Sequence, residues 1–237
     1  MSQAPSSPRS PVLTSPPSPA ASPAPAARRP RARKGEGHLL RAELVAAASD
    51  LLADLGDPNL LSMRAVAAAV GVTPPSIYRH FADKQALLLA VLTERWAEIQ
   101  RILAGAAGES DDPFDALRRF CLAYVRFAEE RPGHYRVLFS AAAPAGVTED
   151  PTSHPGAPTF LALVDLVQRC LDAGAEPQPG RDSWFLALQV WLSGHGLVDL
   201  RIGQRFPFPW PPGELLLDAI LADLRLSRSG PPSPATS

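Results

Sequence analysis

A chain of 237 residues, 46% apolar and with a net charge of −1, is long enough for one large or two small domains and apolar enough to bury a core. Its longest apolar runs are broken by Gly, His and Asp and its start is polar and Pro-rich, so neither a membrane-spanning segment nor a secretory leader is expected. Cys121 and Cys170 sit singly inside apolar runs with no C-x-x-C spacing, so the expectation is a soluble cytoplasmic protein with two reduced core thiols, no metal and no cofactor.

Charge is unevenly spread. Arg9, Arg28, Arg29, Arg31, Arg33 and Lys34 stand against Glu36 in residues 1–36, a net +5, which leaves −6 for the rest of the chain. That first stretch is Pro, Ser and Ala with a basic end, too poor in bulky apolar residues to offset chain entropy, and it reads as a disordered tail. Residues 228–237 read the same way.

Between the tails the apolar period is helical throughout, and the fold class is all-α. A first helix is predicted over 38–55, with Leu40, Leu44, Ala47, Ala48, Leu51 and Leu55 on one face and Gly56 as its stop. Ser62 caps a helix over 63–70, and Gly71-Val72 makes a tight turn. Thr73 caps the next helix, with Pro74 at its first position, where a missing N–H costs nothing, and this helix runs to residue 81. Asp83 caps a longer helix to residue 103, which Gly105 and Gly108 end. Helices follow over 113–130 and 133–139, a mobile loop over 141–158, two strongly apolar helices over 160–171 and 181–200, a Pro-rich turn over 206–212 and a last helix to residue 226. The domain reading is a helix-turn-helix unit over 37–84 and a helical regulatory and dimerisation unit over 85–227.

Two short helices joined by a glycine turn are the geometry of a helix-turn-helix. The second of them presents Thr73, Pro75, Ser76, Tyr78, Arg79 and His80 outward, on a rod that fits the major groove of B-DNA. The hydroxyls and the imidazole suit phosphate oxygens, Arg79 suits a guanine edge, and Lys84 and Arg64 sit at helix starts where a phosphate is favoured. The basic cluster Arg28 to Lys34 reads either as a solubilising tail or as an arm that follows the DNA backbone.

The run Gly71-Val72-Thr73-Pro74-Pro75-Ser76-Ile77-Tyr78-Arg79-His80-Phe81-Ala82-Asp83-Lys84-Gln85-Ala86-Leu87 resembles the DNA-binding domain of the TetR (tetracycline-repressor-like) family over about residues 38–92. It departs at Gln85, where an acidic residue is common, on a side that does not read DNA. The resemblance implies phosphate contact by Thr73, Tyr78, His80 and Lys84 and base contact by Pro75, Ser76 and Arg79. Trp191, His195 and Gly196, together with the stretch 123–139, resemble a C-terminal domain type of the same family, which implies a dimeric, regulatory, all-helical domain.

The second unit has no catalytic grammar. Ser193 and His195 are two residues apart and face different sides of a helix, so they make no nucleophile–base pair. The helix over 181–200 is apolar nearly all round and needs burial on two sides, one against its own chain and one against a partner copy. Leu192 and Leu197 with Leu217, Ile220, Leu221 and Leu224 of the last helix are the expected dimer seam, and Gly194 and Gly196 would allow close helix approach. Phe120, Tyr124, Phe127, Trp184, Trp191 and His195 are candidate walls of a ligand cavity, with ordinary core packing as the alternative for each. The expected function is a homodimeric regulator that binds operator DNA, most members of the resembled family being repressors, and that an apolar small-molecule effector releases. The alternatives are a helical regulator switched by a protein partner without a small ligand, and an enzyme that merely contains a helical hairpin.

Overall fold

The computed structural model of the chain describes residues 37–139, 153–203 and 209–227. Among these every regular element is helical: α1 (Gly37–Leu55), a 3-10 turn (Pro58–Leu60), α2 (Met63–Ala69), α3 (Pro74–Ile77), α4 (Lys84–Ala107), α5 (Pro113–Glu130), α6 (Pro132–Leu138), α7 (Ala157–Asp172), α8 (Ser183–Ile202) and α9 (Gly213–Asp223). The two expected tails, the basic cluster Arg28, Arg29, Arg31, Arg33 and Lys34, and most of the expected loop over 141–158 lie outside the described residues.

Local chemistry explains the helix ends. Ser62 Oγ accepts from the Ala65 N–H at 3.1 Å and Asp83 Oδ1 from the Ala86 N–H at 2.8 Å, each satisfying an otherwise orphaned donor of the first turn. Asp182 does the same for Phe185 at 2.8 Å, so α8 starts just after Arg181. Between α2 and α3 the chain turns through Gly71 at φ 74°, where the Gly71 N–H reaches Ala68 O and the Val72 N–H reaches Ala67 O. That bond pair needs a left-handed residue between two right-handed stretches, and glycine enters that region without a Cβ clash.

Three expectations need correcting. The α4 helix does not break at Gly105 but continues to Ala107, since one glycine costs only about 1 kcal/mol and packing of α4 on α5 outweighs it. Thr73 stands at the N-cap of α3 without a capping bond; its Oγ1 pairs instead with Ser76 Oγ at 3.0 Å. The α3 helix proper is four residues, continued by single turns to Phe81, whose N–H bonds Ile77 O at 3.0 Å.

Two apolar cores result. One joins Leu44, Val45, Ala48 and Leu52 of α1 to Val66, Ile77, Phe81, Leu87 and Val91, with Val137 of α6 included. The other gathers Trp96, Ile99 and Leu103 with the inner faces of α5, α7, α8 and α9. Helix α4 passes from the first core to the second between Val91 and Trp96, and Leu92 packs on both. Helix α6 also serves both: Val137 enters the first core, while Tyr135 and Leu138 enter the second. At its start Gly133 presses on α1 so closely that an added Cβ would stand 2.7 Å from Ala53 O.

Candidate functional site

The reading face rests on two buried anchors. Ile77 and Phe81, 0% and 3% exposed, hold the segment after Thr73 to the first core. The residues between and before them then have to point outward: Thr73, Pro75, Tyr78 and Arg79 are exposed, Ser76 and His80 half-buried. A 53%-exposed tyrosine beside buried anchors leaves the Tyr78 ring and hydroxyl free to meet a ligand. The Thr73 and Ser76 hydroxyls bond each other, and the Arg79 guanidinium reaches Ser76 Oγ at 3.4 Å, so three polar groups are gathered on one side. Arg64 is exposed at the start of α2. Lys84 Nζ donates to the Asn59 carbonyl at 2.8 Å, which ties the start of α4 to the 3-10 turn. Thr73, Pro75, Ser76, Tyr78, Arg79 and His80 thus share the segment that Ile77 and Phe81 anchor, whereas Arg64 stands at the start of α2 and Lys84 at the start of α4.

The second site is a cavity of about 50 Å³ in the second core. Its wall comes from α4 (Trp96, Leu103), α5 (Phe120, Tyr124), α7 (Thr159, Phe160, Leu163) and α8 (Val190, Trp191, Gly194), with Phe139 just after α6. Of the six wall residues predicted, Phe120, Tyr124 and Trp191 are there. His195 stands behind them: its Nδ1 is 2.7 Å from Tyr135 Oη and 3.2 Å from Tyr124 Oη. Phe127 and Trp184 do not line the space. Phe127 is buried in the core under the Arg131 guanidinium, and Trp184 is 53% exposed, its ring edge on Phe160 at 5.0 Å. Helical spacing identifies aromatic residues, but which aromatic faces a void depends on how α4 and α7 close it. For that reason helical spacing does not assign Trp96, Phe139 and Phe160 to this wall, and no sequence signal singles out Thr159.

Burial disfavours charge at Tyr124 and in the cluster behind it. It raises the Tyr124 phenol far above its ordinary value and pushes Tyr135 up to about 12, and it lowers the His195 imidazole, with Asp199 opposing. The Cys121 and Cys170 thiols, both buried and unpaired with each other, are pushed up to about 12 mainly by desolvation, which makes them poor nucleophiles.

Comparison with known proteins agrees with this geometry. The pattern described as bacterial regulatory proteins, tetR family, matches residues 44–91, and that described as tetracyclin repressor-like, C-terminal domain, matches residues 117–224. The chain belongs to the TetR family.

Solved structures repeat the fold at low identity. A Rhodococcus sp. RHA1 protein of unknown function is 24% identical over 78% of this chain and 93% of its own, with a TM-score of 0.67. A TetR family transcription regulator of Marinobacter aquaeolei VT8 is 21% identical over 78% and 94%, with a TM-score of 0.60. The fatty acid degradation regulator FadR of Bacillus halodurans is 14% identical over 80% and 99%, with a TM-score of 0.61. Curated protein sequences contain no match. As a TetR-family member the chain is a DNA-binding transcription regulator and not an enzyme, and among the described residues no helix is long and apolar enough to cross a membrane.

In this TetR-family chain the expected dimer seam is only partly at the surface. Leu217 and Leu221 of α9 are 2% and 1% exposed, and Leu197 is 8%; these three are spent inside the chain's own core, the α9 stripe having turned inward onto α5 and α8. Ile220 and Leu224 are half-buried. Leu192 is 63% exposed, and Phe185 and Leu188, at 46% and 41%, continue its stripe at helical spacing. Gly194 and Gly196, expected to admit a close helix, have no neighbour within 4 Å of an added Cβ in the single chain.

Proposed function

We propose that the protein is a homodimeric repressor that holds operator DNA with the α3 face and is released by a small apolar effector in the second core. The observation that carries the reading is the polar α3 face anchored from behind by Ile77 and Phe81. Tyr78, Thr73, His80 and Lys84 take phosphates, Arg64 takes the flanking strand, and Arg79, Ser76 and Pro75 meet base edges. The chain enters α1 at Gly37, whose added Cβ would lie 3.8 Å from the His80 ring, so the cationic residues Arg28 to Lys34 precede a point at the rim of this face. From there they reach the adjoining backbone or minor groove.

The apolar stripe Phe185, Leu188 and Leu192 is the place for a second copy, because an uncovered row of large apolar side chains on a helix marks an association surface. A two-fold pair then sets two α3 faces one DNA turn apart, about 34 Å. An effector acts through α6, which has one side in each core. A molecule that displaces Phe139 or the Tyr124–Tyr135–His195 cluster shifts α6 against α1 through Gly133 and changes the spacing of the two faces.

The test is selection of bound duplexes from random DNA with the full-length protein, followed by titration of Arg79→Ala and Tyr78→Phe on the selected site. Arg79→Ala is expected to weaken binding by about tenfold to a hundredfold and relax base preference, the ~1–3 kcal/mol of a bidentate contact, with folding unchanged. No duplex preferred by the wild-type protein at any salt concentration would refute the reading.

A further inference from the structure

Two residues of the cavity wall, Trp96 and Thr159, each carry a polar atom with nothing to bond. Trp96 Nε1 and Thr159 Oγ1 are both shut from solvent, in residues 3% and 8% exposed, and neither has a hydrogen-bond partner among the described residues. Their residues are joined through the start of α7. An added Cβ at Gly156 would stand 2.8–2.9 Å from Cζ2, Cε2 and Cη2 of the Trp96 indole, so the chain at the start of α7 lies flush on the ring beside Nε1. Thr159 is one turn further along that helix, its N–H bonded to Gly156 O at 3.1 Å. The rest of the wall is hydrocarbon or aromatic, with Leu103, Phe120, Leu163, Val190 and Trp191 among its members, and it holds no Lys, Arg, Asp or Glu.

An unpaired buried donor has already lost its water, so a partner supplied later gains most of the hydrogen bond's strength. An indole N–H can only donate, whereas a hydroxyl donates or accepts. A carboxylate would satisfy the donors but would enter a wall without a counter-cation, and desolvation would outweigh the gain. A pure hydrocarbon would leave both polar atoms orphaned. Space adds a further limit: about 50 Å³ holds a few water molecules and the two polar atoms are sealed, so a one-ring molecule enters, and an oxygen on it meets them, only as the half-buried Phe160 and Trp191 give way.

Resting on the effector reading above, we infer that the ligand of this cavity is a small uncharged molecule, mainly hydrocarbon, with one hydrogen-bond-accepting oxygen that meets Trp96 Nε1–H and the Thr159 hydroxyl. Three probes of similar size separate the possibilities: acetophenone, a neutral carbonyl; ethylbenzene, the hydrocarbon; and benzoate, the anion. Binding is read on the full-length protein without DNA, by thermal shift and by the indole N–H signals of protein labelled with 15N at tryptophan, the Trp96 signal being assigned with Trp96→Phe. Acetophenone should raise the melting temperature with dose and move the Trp96 N–H signal downfield. Ethylbenzene should bind about tenfold more weakly without that movement, as one lost hydrogen bond implies, and benzoate should not bind. In Thr159→Val, which keeps the side-chain shape, the preference for the ketone over the hydrocarbon should shrink severalfold.

Equal binding of acetophenone and ethylbenzene, binding of benzoate, no binding of any probe, a stationary Trp96 signal or an unchanged preference in Thr159→Val each overturns the inference. DNA affinity measured in parallel keeps the two readings apart. A ketone that binds without altering DNA affinity leaves the ligand class standing and removes its role as effector, whereas absent ligand binding with intact DNA affinity removes only the ligand class.

Discussion

The contact of Gly133 with Ala53 predicts how tightly the two cores are joined. In Gly133→Ala the new Cβ would lie 2.7 Å from Ala53 O, 2.9 Å from Ala53 Cβ and 3.1 Å from Ala53 C. Ordinary contact begins near 3.4 Å, so α6 and the end of α1 must separate by about 0.7 Å. The obstacle is backbone in the last turn of α1 and cannot swing away as a side-chain tip would. Overpacking of this kind costs about 1–3 kcal/mol, and for a folded region of this size each kcal/mol lowers the melting temperature by about 2–4 °C. Gly105→Ala is the internal control: it lies inside α4 with nothing within 4 Å of its added Cβ, and it should stabilise by about 0.5–1 kcal/mol. Chemical denaturation of both variants gives the stabilities, and fluorescence anisotropy on the selected operator gives DNA affinity, which should change in Gly133→Ala alone. A Gly133→Ala protein as stable as the parent, with the same DNA affinity, would show that the α1–α6 contact is loose and that α6 cannot transmit a signal.

Other expectations follow from single residues. Leu188→Glu with Leu192→Glu puts charge into the exposed α8 stripe, and sedimentation should show self-association weakened by at least about thirtyfold, the ~2 kcal/mol of a central interface residue; an unchanged dimer would place the interface elsewhere. His195 titrates below its ordinary value of 6.5 because it is buried, so the unfolded chain takes up this proton first as pH falls. Its contribution to stability is complete above about pH 6.5 and is lost as pH drops through that value to the lowered one; urea unfolding across this window should be less pH-dependent in His195→Gln, and an identical slope in both proteins would contradict the assignment. Arg225 sits at φ 58° just past α9, with its N–H on Ala222 O and the Leu226 N–H on Leu221 O, so Arg225→Gly should gain about 1 kcal/mol, read as a rise in melting temperature.

Whatever depends on near neighbours along the chain is legible in the residue order alone. Helix starts at Ser62 and Asp83, the glycine turn at Gly71 and the outward set from Thr73 to His80 are legible because caps, left-handed turns and helical period act over three or four residues. Those short-range rules also place buried Ile77 and Phe81 behind the reading face, and with it the family. Which side of an all-apolar helix faces inward depends instead on long-range packing. Leu217, Leu221 and Leu197 are as apolar as Leu192, yet burial assigns the first three to the chain's own core and leaves Leu192 bare, a choice made by the packing of α9 on α5 and α8. The cavity is likewise a remainder, the volume that side chains from α4, α5, α7 and α8 fail to fill. Trp96 and Thr159, 63 positions apart, share its wall because α7 closes against α4, and no local period records that meeting.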